Sequence, residues 1–225
     1  MESITVRILI LAALPEEADA FRSSEGKEMD GSWPRARRLS VDGHDVVIAT
    51  TGIGKVNIAA AAGRLHAQTD AELLLTLGTA GKLSALPGDC FYLGRAIQHD
   101  YGARRPDDFI HYPPGAWPMG PAHVEPFEAM PDPGTGLPQA CIASGDAFIE
   151  DGAFAAHLVA ALEADVVDME TAAVAQYAAA VGLPWAGIKA VTDDANHESA
   201  ADFHENLLAA SARAARAMER LLSLL

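Results

Sequence analysis

Ala164-Asp165-Val166-Val167-Asp168-Met169-Glu170 and, further on, Ile188-Lys189-Ala190-Val191-Thr192-Asp193-Asp194 share one pattern: an apolar, β-branched run that ends in acid. Each run reads as a buried strand. The first delivers carboxylates where a helix starts, and the second delivers them at its own C-terminal end. Open α/β sheets build their sites at the carboxyl ends of strands. Carboxylates held at a cleft edge are costly unless bonded, so the pattern points to a ligand rich in hydroxyls and protonatable nitrogens, such as a sugar joined to a base.

The flanking chain alternates strands and helices. Val6–Ala13 reads as a first strand, and Pro15-Glu16-Glu17 opens a helix with Pro in its favoured first turn. Arg35–Val41 and Asp45–Thr51 read as a hairpin around Asp42-Gly43. Gly52-Ile53-Gly54-Lys55 leads into a helix over Val56–Gln68, and Glu72–Leu77 is a buried strand ending in the turn Gly78-Thr79-Ala80-Gly81. A strand around Cys90–Gln98 follows, and residues from about 103 to 138, rich in Pro and Gly, read as one long ordered loop. The remainder predicts strand Ala140–Ser144, helix Ile149–Leu162, strand Asp165–Val167, helix Glu170–Val181, strand Trp185–Val191 and a closing helix from about Ala201 to Leu224. This order implies one domain over 1–225. The fold class is an α/β sandwich with a mostly parallel central sheet flanked by helices on both faces.

Composition narrows the function. Hydrophobic residues make up 50% of the 225 and aromatics only 6%, so the core must be built of Ala, Val, Leu and Ile. A formal charge of −15 argues against nucleic acid or an anionic membrane as partner, since both reward dense positive charge. The apolar run Ile8–Leu14 is too short to span a bilayer, and Met1-Glu2-Ser3 lacks the basic start of a secretion signal. Cys90 and Cys141 sit in strand-like contexts and read as buried, reduced thiols of a cytoplasmic protein. The scattered His residues show no ligand spacing, so no metal is expected.

Single motifs carry little. Gly78-Thr79-Ala80-Gly81 alone is most simply a tight connection, though Gly-rich backbone also lets N–H groups approach a ligand. Gly52-Ile53-Gly54-Lys55 lacks the Gly spacing and the Ser or Thr of a triphosphate loop. Ser144-Gly145-Asp146-Ala147-Phe148-Ile149 offers an aromatic face and free backbone groups to a flat heterocycle. It reads equally well as a helix start capped by Ser144 or Asp146 with Phe148 in the core.

Six segments in order change that balance: AALPEEADAF (12–21), TGIGKVNIAAAAG (51–63), LGTAGKL (77–83), SGDAFIED (144–151), VVDMETAAVAQ (166–176) and KAVTDDAN (189–196). Together the chain resembles the 5′-methylthioadenosine/S-adenosylhomocysteine nucleosidases of the purine nucleoside phosphorylase and uridine phosphorylase superfamily. The resemblance covers most of the chain except about 100–138. It implies a nucleoside phosphorylase-like fold, a homodimer, a role in methionine salvage, a small-molecule purine nucleoside as substrate and no cofactor. Carried over by position, Glu17 would activate the attacking water and Asp193 would protonate N7 of the leaving purine. Met169 and Glu170 would contact the ribose, with Glu170 accepting from its 2′- and 3′-hydroxyls, and Thr79 stands beside the ribose where the family has Ser. Phe148 would stack on the purine, the Ile149 backbone would read its edge, and Ile53 and Phe203 would line the ribose and the 5′ substituent.

The chemistry agrees with this assignment. Breaking a ribosyl C–N bond builds positive charge on the sugar and negative charge on the base. The reaction therefore needs an acid at the purine, a base at the water and a carboxylate at the hydroxyls. Glu16, beside Glu17, reads as a solvated first-turn acid. Phosphorolytic relatives hold phosphate with a Gly-rich loop after the first strand and an Arg before the later Gly turn. This chain has Leu14-Pro15-Glu16-Glu17 and Thr76-Leu77 there, which favours water as nucleophile. Lys189 replaces an Arg of close relatives and Asn196 an acid. The divergent 100–138 segment does not read like the apolar, aromatic stretch that in the family reaches a partner subunit's 5′ pocket, though Tyr112, Trp117 and Met119 are candidates to line it. Arg104-Arg105 is a candidate clamp for a 5′ carboxylate or, more simply, a pair balancing Asp107 and Asp108. The alternatives are a sibling nucleosidase such as a futalosine hydrolase, a phosphate-dependent phosphorylase, and a non-catalytic nucleoside-binding domain.

Overall fold

The computed structural model describes residues 5–22 and 25–225; the reading of Met1-Glu2-Ser3 lies outside them. The strands are β1 (Arg7–Ala12), β2 (Lys27–Glu28), β3 (Arg35–Val41), β4 (His44–Thr50), β5 (Leu73–Lys82), β6 (Cys90–Gln98), β7 (Gly102–Arg104), β8 (Phe109–His111), β9 (Phe127–Glu128), β10 (Gln139–Ser144), β11 (Val166–Asp168) and β12 (Trp185–Asp193). The helices are α1 (Pro15–Ala20), α2 (Lys55–Thr69), α3 (Gly152–Leu162), α4 (Thr171–Val181) and α5 (Ser199–Leu222). Most central strands are apolar on both faces because helices cover both sides. The core is correspondingly Ala, Val, Leu and Ile, with Phe21, Phe91 and Tyr92 as its largest buried members.

The main sheet runs β11-β10-β6-β12-β5-β1-β4-β3-β2, with β9 on β6. It is mixed: β5 pairs parallel with β1 and β12, while β12 pairs antiparallel with β6. One further pairing sets the geometry of the site. The C-terminal end of β5 meets β11 antiparallel, Gly81 opposite Val167 and Lys82 opposite Val166. Strands β5, β12, β6, β10 and β11 therefore form a closed circuit. Gly81 allows the closure, since a Cβ there would stand 3.0 Å from an Asp193 carboxylate oxygen and 3.2 Å from Val167.

The expected α/β architecture is present, with local corrections. Gly78–Gly81 is the continuation of β5 rather than a turn. The segment 103–138 carries β8, β9 and part of β7, so it is not one unbroken loop. Helix α3 begins at Gly152, capped by Asp151, whose carboxylate accepts from the Ala153 and Phe154 N–H groups. Neither Ser144 nor Asp146 caps it: Ser144 donates to Asp168, and Asp146 accepts from Lys55 N–H at the start of α2. Cys90 and Cys141 are buried and unpaired, and burial pushes both thiols up to about 11. Among the described residues no helix is long and apolar enough to cross a membrane.

Candidate active site

Glu17 lies in the first turn of α1, only 2% exposed, while Glu16 beside it is exposed. Its carboxylate accepts four hydrogen bonds. The Ala13 and Leu14 N–H groups bond Oε2 at 3.1 and 3.0 Å, and the Thr79 N–H and Oγ1 bond Oε1 at 2.8 Å each. Convergent amides of this kind form an anion-binding nest. The close approach requires Gly78, with φ of +157°, because a Cβ at that position would sit 2.5 Å from Glu17 Oε1. Buried Arg37 secures α1 from behind by donating to the carbonyls of Ala18, Phe21, Arg22 and Glu25.

At the cavity wall, which Asp168 helps to line, β11 and β12 carry a buried ion pair, Lys189 Nζ to Asp168 Oδ2 at 3.0 Å. Asp168 also accepts from the Ser144 hydroxyl and from the Thr171 N–H and hydroxyl. Burial alone would raise the Asp168 carboxyl, but Lys189 and these donors outweigh it and hold the group below the usual range. Burial likewise opposes the Lys189 charge, and Asp168, Glu17 and Glu170 together more than restore it. An ammonium so enclosed keeps neighbouring carboxylates tolerable in a dry site.

Glu170 sits at the N-cap of α4 and accepts from Gly54 N–H at 2.9 Å. Burial pushes its carboxyl up to about 7, and Asp168 adds to the shift. A hydroxyl donates best to the ionised form, so any ligand hydroxyl that bonds Glu170 should be held less well as pH falls through about 7. A kcat/KM profile in the wild type is expected to fall on that acid side, and Glu170→Gln is expected to remove the limb. A limb that persists in the variant belongs to another group. Asp193, the last residue of β12, is 5% exposed. It accepts from Thr192 Oγ1 at 2.8 Å and from Ala195 N–H at 3.0 Å.

A cavity of about 380 Å³ brings Glu17, Ile53, Thr79, Phe148, Met169, Glu170, Asp193 and Phe203 together. Ile149 stands apart from that lining, in a small adjoining recess of about 30 Å³ shared with Phe148, Met169 and Asp193. Phe148 and Phe203 meet edge-on with ring centroids 5.8 Å apart. Within the single chain the 100–138 candidates do not line this cavity, and their expected place is at a partner subunit's pocket. Tyr112 is buried with its hydroxyl on the Gly120 carbonyl, and Trp117 and Met119 face outward. Arg104 packs over Phe109 at 5.5 Å, and among the described residues neither Arg104 nor Arg105 forms an ion pair, with Asp107 and Asp108 or otherwise. The sequence reading left Asp168 without a partner, and Lys189 noted only as a departure. Their pairing spans two strands, and the one signal for it was an acid two residues before Glu170.

An α/β sheet with carboxylates from separate strand ends around one partly aromatic cavity defines a small-ligand site of the kind open α/β enzymes build. The chain belongs to the phosphorylase superfamily, whose family model matches residues 7–223, and within it to the 5′-methylthioadenosine/S-adenosylhomocysteine nucleosidases. It is thus an N-glycosyl hydrolase. A nucleosidase of that name from Baumannia cicadellinicola is 32% identical over 74% of this chain and 76% of its own. The Helicobacter pylori nucleosidase structure superposes with a TM-score of 0.86 at 20% identity, covering 99% of this chain and 100% of that one. The Helicobacter pylori futalosine hydrolase superposes with a TM-score of 0.85 at 21% identity, covering 98% and 99% respectively.

Proposed function

We propose that the chain hydrolyses the N-glycosidic bond of 5′-methylthioadenosine and S-adenosylhomocysteine, releasing adenine and the thio-substituted ribose. The observation that carries this is the convergence of Glu17, Glu170 and Asp193 on one cavity that also holds Phe148, Met169, Ile53 and Phe203. In this reading the C1′–N9 bond breaks and its electron pair passes to the purine. Asp193 gives a proton to N7, and the base lies against Phe148 with its edge at the Ile149 backbone. Water adds to C1′ and loses a proton to Glu17, and Glu170 accepts from the 2′- and 3′-hydroxyls as positive charge grows on the sugar. Met169 and Thr79 pack beside the ribose, and Ile53 and Phe203 give the thio substituent apolar surroundings. The chemistry needs no metal or cofactor.

Water rather than phosphate is favoured because the Glu17 carboxylate already fills the donors of its nest. A second anion beside it would meet repulsion at short range. Buried thiols suit a reducing cytoplasm, and methionine salvage is the matching role. Exposed Ile53 and Val56 near the cavity mouth are the kind of apolar surface a homodimer would cover.

The test is release of free base with and without phosphate. Adenine is expected from both substrates at a rate that phosphate leaves unchanged. Strict phosphate dependence would overturn the role of water. Release of hypoxanthine from futalosine, with none of adenine from either thio-nucleoside, would move the assignment to the sibling enzyme, whose fold is equally similar.

A further inference from the structure

Two consecutive amides at the start of α2 point to two different carboxylates. Gly54 N–H donates to Glu170 Oε1 at 2.9 Å, and Lys55 N–H donates to Asp146 Oδ1 at 2.8 Å. Glu170 belongs to the sugar side of the cavity, and Asp146 stands two residues before Phe148 on the base side. The same Lys55 extends its ammonium to Asp100 Oδ1 at 2.5 Å and to Gln98 Oε1 at 3.0 Å. Asp100 closes the ring by accepting the Asp146 N–H on its other oxygen at 2.9 Å. The loops after β4, β6 and β10 are thereby tied in one circuit with Glu170, and none of its three inner members lines the cavity.

We infer that Lys55, Asp100 and Asp146 are positioning residues that set the base-binding loop against the ribose-binding carboxylate. The inference rests on the reading of Phe148 and Glu170 given above. Two consecutive peptide units, Ile53–Gly54 and Gly54–Lys55, span the two subsites, so displacing either moves both. The Lys55 and Asp100 side chains are 18% and 30% exposed, partly shielded from salt and able to hold a fixed geometry. Burial disfavours the Asp100 charge, yet Lys55 and the Asp146 amide hold its carboxyl below the usual range, so the ion pair persists at neutral pH. An ammonium that bonds two acceptors while its own backbone bonds a third group has little freedom to relax.

The test is a cycle on adenine release from 5′-methylthioadenosine. Lys55→Met is expected to raise KM about tenfold with a smaller change in kcat, in keeping with the cost of misplacing groups by a fraction of an ångström. Lys55→Arg should recover most of the loss. Because Lys55 acts partly through Glu170, the Lys55→Met/Glu170→Gln double variant should fall short of the product of the single losses by about threefold or more. Losses that multiply, or an unchanged KM, would overturn the proposal. Turnover also depends on the substrate assignment, so the ligand-free protein supplies the separating measurement. Amide hydrogen exchange at Gly54 and Asp146 should accelerate about tenfold or more in Lys55→Met. Unchanged exchange there sinks the circuit whether or not the wild type releases adenine.

Discussion

Asp193→Asn is expected to lower adenine release about 10²–10⁴-fold while leaving 5′-methylthioadenosine bound, the usual magnitude for loss of a general acid. The substitution keeps shape and volume. An Asn oxygen still accepts the Ala195 N–H that Asp193 Oδ1 accepts at 3.0 Å. The Thr192 hydroxyl, which donates to Asp193 Oδ2 at 2.8 Å, can turn to donate to the Ala80 carbonyl at 3.3 Å and accept from the new NH₂, so the end of β12 has little reason to move. What disappears is the carboxyl group proposed to protonate the purine, at a buried position on the cavity wall. Without it the purine must leave as an anion, and the barrier rises while ground-state contacts from Phe148, Glu170 and Met169 remain. Turnover and calorimetric binding measured on the same preparation decide the matter. Turnover within about tenfold of wild type would exclude Asp193 as the acid.

Glu17→Gln is expected to cost about 10²-fold or more in kcat, with a further loss of stability of about 1–3 kcal/mol from mismatched donors. Both oxygens of Glu17 accept, one from Thr79 and one from the Ala13 and Leu14 amides. A carboxamide satisfies only one side; its NH₂ group faces either two amide donors or Thr79. The variant therefore lacks both the carboxylate proposed as the base and the geometry that holds it. Glu16→Gln, one residue away and exposed, is the control and should leave kcat and melting temperature unchanged. Equal effects at Glu16 and Glu17 would show that first-turn charge rather than water activation is being measured.

Much of the architecture was legible because its determinants are local. Cys90–Gln98 and Trp185–Val191 are apolar runs long enough to be read as buried strands, and Asp42-Gly43 marks its hairpin without help from the rest of the chain. Gly78 and Gly81 misled in an instructive way. Glycines in a strand usually signal a turn or bulge, but here they admit the Glu17 carboxylate at one point and the β11 closure at the other. Neither demand is visible within a window of neighbouring residues. The distinction between Glu16 and Glu17 came only from family resemblance, since both are first-turn acids. Burial separates them in the fold, and that burial comes from Thr79, more than sixty positions away. The Asp168–Lys189 pair, between two strands, and the Lys55–Asp100–Asp146 circuit, between loops, are likewise contacts that no periodicity encodes.

The closure of the circuit at Gly81–Val167 rests on two opposed residue pairs, far fewer than the seven between β3 and β4. Glu17 and Thr79 arrive from the first part of the chain, whereas Phe148, Glu170 and Asp193 arrive from the last part, across that seam. Neither part alone contains a cleft able to hold a nucleoside. A ribosome making this chain therefore produces no catalyst until β12 has emerged and the ring of strands has shut. Loop-closure entropy places such a step late in folding. An intact cavity is in this sense a report on topology: it exists only where the earlier and later parts of the chain have met across that seam.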